Sequence, residues 1–155
     1  MHTNATATKP GRVYTQLPRY FRWFTEHCVM RPLDGADVPR IWRSVIHPTF
    51  SQCWTQQVPA SEREIRLMVR DALSSWLQGG AYSMSVVKRQ SHDFVGFVSM
   101  RSVGPTRTVW TLDWFTHPNF LDTELPAEAV TATVDLTFAA LGALKLYAGC
   151  PAQHP

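Results

Sequence analysis

Thr25-Glu26-His27-Cys28-Val29-Met30-Arg31-Pro32-Leu33 is the stretch that decides the fold. It reads as a short strand, Cys28 to Leu33, running straight into a helix. Asp34 offers an N-cap, with Asp37 three residues on. Val38, Ile41, Trp42 and Val45 then fall on one face at helical spacing. His47-Pro48 ends that helix, because a residue before proline is steered out of the helical region. A second stretch, His117 to Val130, reads strand end, turn, helix, with Pro118, Glu128 and Ala129 at set places.

Between these stretches Thr49 to Ala60 is a loop carrying Phe50 and Trp54. Ser61-Glu62-Arg63-Glu64 is a capping box that opens a second helix. Its expected inward residues are Ile65, Met68, Ala72, Leu73, Trp76 and Leu77, and Gly79-Gly80 stops it. Three strands follow, Tyr82 to Lys88, Phe94 to Arg101 and Thr108 to Thr116, rich in Val, Phe, Trp and Ser with period-two patterning. Pro126 sits in the first turn of a third helix, where its missing N–H costs nothing. That helix is expected to bury Ala127, Val130, Val134, Phe138 and Leu141 and to end at Gly142. Lys145 to Cys150 is a last strand. The order β-α-α-β-β-β-α-β is an α+β layout with mostly antiparallel pairing.

Upstream, Met1 to Gly11 is polar and expected to be disordered. Val13 to Phe24 is too apolar for a free tail, and is expected to pack on the domain or on a partner subunit. The organisation expected is an N-terminal extension over residues 1–24 and one domain over 25–155.

The net charge of +3 and the scattered basic residues lack the stripe of a nucleic-acid module, so no nucleic-acid partner is expected. No apolar run is long enough to cross a bilayer, and no leader signature opens the chain. The three cysteines, Cys28, Cys53 and Cys150, form no CxxC pair and read as reduced thiols, which fits a cytoplasmic protein. His27, His47, His92, His117 and His154 show no metal-ligand spacing, so no metal site is expected. Ser83, Ser85 and Ser99 lie outside any G-x-S-x-G elbow, which gives a hydrolase triad no support.

The opening stretch resembles the T-E-R-L-x-L-R-P-L start of the GNAT acetyltransferase superfamily, in its branch that modifies ribosomal-protein N-termini. His47-Pro48 followed by Trp54 resembles that branch's D-P-x-V…-Y/W segment. Phe94-Val95-Gly96-Phe97-Val98 resembles its V/I-G-x-x-x strand, and the run from Phe138 to Leu146 its F-x-x-L-G-L-x-R-I/V. The matches cover residues 25 to 154 in order and spacing. The fold implied is a mixed, mostly antiparallel sheet with helices on both faces and splayed fourth and fifth strands.

The resemblance implies acetyl transfer from acetyl-CoA to an amine acceptor, a peptide N-terminus or a small amine, by direct attack. The pantetheine arm would lie along the fourth strand like an added strand, at Trp114, Phe115 and Thr116. Backbone at Leu121, Asp122, Thr123, Glu124 and Leu125 would meet the phosphates, with Asn119 and Thr123 as nearby side-chain donors. Asp113 would act as the base, with Thr111 at the family's usual glutamate place, and Trp54 and Trp110 would line an acceptor pocket. Asp122 and Glu124 stand where the family's phosphate turn carries glycines. A carboxylate ~4 Å from a phosphate charge costs on the order of 4 kcal/mol at an effective dielectric of about 20. That is comparable with the roughly 4 kcal/mol that holds a millimolar ligand.

A second reading follows from those two acids. It is a catalytically degenerate domain that binds a protein partner or forms a homodimer through the aromatic segment from Tyr14 to Phe24. The resembled fold continues beyond a fifth strand, so the domain is expected to be truncated, or its open edge covered by a partner or by that segment.

Overall fold

A computed structural model describes residues 16–50 and 58–149. Six strands form one sheet in chain order: β1 (Trp23–Phe24), β2 (Cys28–Pro32), β3 (Ala81–Lys88), β4 (Phe94–Val103), β5 (Val109–Thr116) and β6 (Lys145–Ala148). Neighbours pair antiparallel except β6, which joins β5 in parallel. Helices α1 (Val38–Val45) and α2 (Glu62–Gln78) cover one face and α3 (Leu125–Ala140) the other, each over its own core. This is the expected mixed α+β fold, with one short strand ahead of those anticipated. The strands expected as fourth and fifth are therefore β5 and β6.

The opening stretch earns its place through two polar clamps. In the first, Arg31 grips Asp37 with two 2.8 Å hydrogen bonds. Asp37 is fully buried and also accepts from the Asp34 N–H and the Ser85 hydroxyl. Asp34 in turn accepts from the Ala36 N–H at 2.8 Å, capping a 3₁₀ turn, Gly35–Asp37, that leads into α1. In the second, the Glu128 carboxylate on α3 accepts from the Thr25 hydroxyl, the His27 N–H and the His27 ring. One clamp ties β2 to α1 and β3, the other ties β2 to α3.

α2 starts with Ser61 accepting the Glu64 N–H, while the Glu64 carboxylate reaches the Ala60 N–H, one residue upstream of the usual capping-box partner. It ends at Gly79, whose φ of 78° is left-handed. Leu77, expected inward, is 57% exposed, because Trp76 beside it takes the inward position.

The expected buried stripe of α3 is corrected in part: Leu141 is buried and Val130 and Val134 pack partly buried on the core, as expected. Ala129, Thr133, Leu136, Thr137 and Ala140 are buried; Ala127 and Phe138 are exposed. The buried threonines satisfy their hydroxyls on the helix itself, Thr133 to the Ala129 carbonyl and Thr137 to the Thr133 carbonyl, each at 2.7 Å. With that cost removed, their small size decides the face, and α3 seats close to the sheet.

Residues 16–24, set apart from the domain in the sequence, pack into it. Leu17 and Phe21 are core residues, although Tyr20 and Phe24 stay exposed. The Leu17 N–H donates to the Tyr82 hydroxyl, and the Leu17 carbonyl accepts from the Trp76 indole, both at 3.1 Å. The partner-facing role expected for Tyr14 and the disorder expected of residues 1–11 fall outside the described residues.

Candidate functional site

The β5–β6 ladder runs from Val109 opposite Lys145 to Leu112 opposite Ala148 and then stops. Residues 113–116 keep β4 on one side, and among the described residues they have no strand on the other. Pairing with β6 ends ahead of residues 113–116, as the expected splay requires, and Gly149 is the last residue described beyond β6. Which main-chain groups it frees follows from the ladder. The His117 N–H donates to the Val95 carbonyl at 2.7 Å. Alternation then turns the main-chain groups of Phe115 and Asp113 toward β4 and those of Trp114 and Thr116 toward the open edge. The first turn of α3 packs over the face of the sheet near this end of β5, where a narrow crevice is lined by Val86 on β3, Val95 and Gly96 on β4, Trp114 and Thr116 on β5, and Pro126, Ala129 and Val130.

Gly96 is what lets β4 and β5 close at this point. A Cβ on Gly96 would lie 2.0 Å from the Phe115 carbonyl oxygen. The glycine of the V-G-x-x-x strand is thus required by a backbone approach.

On the α1–α2 face a cavity of about 500 Å³ opens between α2 and the sheet. Asp113 lines it, exposed and opposite Ser99 on β4, which shares a 2.7 Å hydrogen bond with Ser83 on β3. Glu64 and Asp71 stand on the α2 wall, and Arg101 on the sheet. Thr111 does not line the cavity; its hydroxyl donates to the Arg101 carbonyl at 3.4 Å. Trp110 is corrected: it is 2% exposed, stacks on Tyr82, and gives its indole N–H to the Arg107 carbonyl. The even-numbered face of β5 turns its side chain into the α3-side core. Trp54 lies outside the described residues, as do Cys53, Cys150 and His154.

The segment between β5 and α3 departs from a phosphate-cupping turn in shape as well as sequence. Pro118–Phe120 is a 3₁₀ turn, and Leu121 and Glu124 are both right-handed helical. No residue from 117 to 128 has a positive φ. The Thr123 hydroxyl, an expected side-chain donor, is engaged by the Phe120 carbonyl, and the Asn119 main-chain N–H by the His117 ring. Leu121, Asp122 and Glu124 are exposed, and Glu124 caps nothing with its side chain. The open edge fits an acyl-pantetheine arm; the turn does not supply a nest of N–H groups for its phosphates.

The sequence model of the family described as Acetyltransferase (GNAT) domain matches residues 27–155. The chain belongs to the GNAT acetyltransferase family. Curated protein sequences yield no match. Among solved structures, this GNAT chain superposes on a candidate ribosomal-protein-serine acetyltransferase from Vibrio cholerae with a TM-score of 0.77 and 19% identity, over 89% of this chain and 78% of that one. An acetyltransferase from Salmonella typhimurium that modifies the N-terminal serine of ribosomal protein L7/L12 gives a TM-score of 0.61 and 14% identity, over 70% and 62% of the two chains. A ribosomal L7/L12 alpha-N-protein acetyltransferase solved with coenzyme A gives 0.60 and 18%, over 71% and 63%.

The GNAT-like stretch at residues 25–33 is tied into the fold by both clamps, through Arg31 to Asp37 and through Thr25 and His27 to Glu128. The sequence did not disclose a basic group beside the open edge. His47, just past α1, and His117, just past β5, meet edge to face with ring centroids 6.5 Å apart, and Arg43 lies close enough to act on His117. Burial, then His47 and Arg43, hold the His117 imidazole below its ordinary value. The only signal in the sequence was Arg43 and His47 four residues apart at a helix end. Among the described residues no cluster of His, Cys, Asp or Glu could hold a metal, and no helix is long and apolar enough to cross a membrane.

Proposed function

We propose that this GNAT-family protein transfers an acetyl group from acetyl-CoA to a primary amine by direct attack. The observation that carries this is the open edge of β5 at residues 113–116, with the first turn of α3 packed over the sheet face near this end and a cavity into which Asp113 faces. Acetyl-CoA supplies the thioester. Trp114 and Thr116 offer main-chain N–H groups along the edge, positioned to hold the pantetheine arm as a strand would and to polarise the thioester carbonyl. Asp113, directly or through a water, takes the proton from the amine as the C–N bond forms and the C–S bond breaks. Ser99 and Ser83 supply hydroxyls beside Asp113 to orient the acceptor. Thr111 contributes no proton transfer, because its hydroxyl lies outside the cavity. The acceptor is a peptide N-terminus or a small amine, the class to which the compared ribosomal-protein enzymes belong.

The test joins calorimetry with acetyl-CoA to a thiol-release assay on amines and short peptides. Asp113→Asn is expected to keep acetyl-CoA binding and lower turnover by about 10²–10⁴-fold. Absence of both heat and thiol release at millimolar acetyl-CoA would remove the proposal.

A further inference from the structure

The loop before α3 leaves a phosphorylated ligand without its glycine nest, yet Arg43, His47 and His117 gather where the same edge ends. Arg43 gives its Nε–H to the Pro39 carbonyl at 3.3 Å, and its two terminal nitrogens have no protein partner among the described residues. The His47 ring uses Nδ1 on Thr49, and the His117 ring uses Nδ1 to accept the Asn119 N–H. Each histidine therefore keeps Nε2 for something else, and on His117 that nitrogen must carry the proton. No carboxylate lies within ion-pair distance of these three side chains among the described residues. The charged groups acting on His117 are His47 and Arg43, both positive when charged, and neither Asp122 nor Glu124 is among them. The C-terminal end of α1 favours cations at Arg43 and His47, which accounts for their gathering without an acid to neutralise them.

Position gives the ligand. His117 follows Thr116 directly, at the end of the open edge away from β6. An extended arm laid along residues 113–116 covers roughly 13 Å at ~3.3 Å per residue. With its acyl end at Asp113, its far end arrives at His117.

We infer that Arg43, His47 and His117 form an anion subsite that takes the phosphates of a phosphorylated cosubstrate in place of the turn before α3. The identity of that cosubstrate rests on the acetyl-CoA reading above; the subsite itself does not. A guanidinium and imidazole Nε2–H groups are donors that suit phosphate oxygens. The phosphates should therefore add affinity that the uncharged arm alone lacks.

The test uses the whole chain with three probes: coenzyme A, pantetheine and inorganic diphosphate. Binding is followed by calorimetry, and the imidazole resonances of the unmodified protein by NMR. Coenzyme A is expected to bind at least tenfold more tightly than pantetheine. The His47 and His117 signals should move with coenzyme A and with diphosphate, and the His47 signal should stay still with pantetheine, whose end reaches only His117. Arg43→Gln and His47→Gln should each weaken coenzyme A by roughly tenfold, the size of one charge-assisted hydrogen bond, and leave pantetheine unchanged. If coenzyme A binds but neither imidazole responds and neither variant matters, the subsite is wrong and the acetyl-CoA reading stands. If neither coenzyme A nor pantetheine binds, that reading falls, and diphosphate alone decides the subsite: movement of both imidazoles upholds it, and no movement overturns it.

Discussion

Asp37 shows how much one residue can carry. Its side chain is fully buried, and it receives two bonds from Arg31, one from the Asp34 N–H and one from the Ser85 hydroxyl. Truncation would strand a largely buried guanidinium and a backbone donor together. Asp37→Ala is expected to cost about 3–5 kcal/mol, the usual toll for removing one partner of a buried pair. A urea midpoint measurement checks this, and a loss under about 1 kcal/mol would contradict the clamp. Replacing Arg31 and Asp37 together by apolar residues of similar volume should recover part of that loss, since the desolvation of both charges is then avoided.

At the scale of elements, the tie between β2 and α3 is pH-dependent in a definite sense. The hydrogen bond from Glu128 raises the His27 imidazole above its ordinary value, against the cost of desolvation. For Glu128, burial pushes the carboxyl up, but hydrogen bonds from Thr25, the His27 N–H and the His27 ring outweigh it, and the value is lowered. A raised histidine stabilises most below its unfolded value and loses that contribution as pH rises through its folded one. A lowered carboxylate stabilises above its unfolded value and loses that contribution as pH falls through its folded one. The melting-temperature gap between the wild type and His27→Gln should therefore peak in mildly acidic solution. It should shrink on the alkaline side as His27 loses its proton, and in strong acid as Glu128 gains one. A gap independent of pH would show that the ring acts only by packing. The inward face of α3 makes a second prediction. Thr133→Val should be within about 1 kcal/mol of wild type, because the hydroxyl bonds only a carbonyl of its own helix. Thr133→Leu should cost about 1–3 kcal/mol by forcing the helix off the sheet. Denaturant titration of the two variants separates these outcomes.

Across the whole molecule, the segment ahead of the signature is part of the core. Leu17 is 1% exposed and closes the aromatic group of Trp76, Tyr82 and Trp110, with ring centroids 4.8 and 6.0 Å apart for the two neighbouring pairs. Leu17→Ala is expected to lower stability by about 2–5 kcal/mol, as cavity formation does in a packed core. Thermal melting of that variant reads the effect, and an unchanged midpoint would make residues 16–24 a dispensable extension after all. This packing also explains why Trp110 serves the fold and not the cavity, while Asp113, three residues on and on the opposite face, serves the cavity.

The sequence by itself determined the main elements and their order, short of the two-residue β1. Helix caps, the stop at Gly79, the proline in the first turn of α3 and the period-two strands are local, and local steric and hydrogen-bond rules write them directly into neighbouring residues. It also displayed Asp113, and the acids at Asp122 and Glu124, as departures from a resembled pattern. It misread part of the inward face of α3, because buried threonines look polar until their hydroxyls are seen bonded to the preceding turn. Tertiary structure alone decided which end of β5 stays open, that Trp110 points into the core, and that Arg43, His47 and His117 meet. These depend on how far β6 pairs and on how a helix end and a strand end come together. Contacts between residues some seventy positions apart are set by packing of the whole sheet and leave no periodicity in the chain.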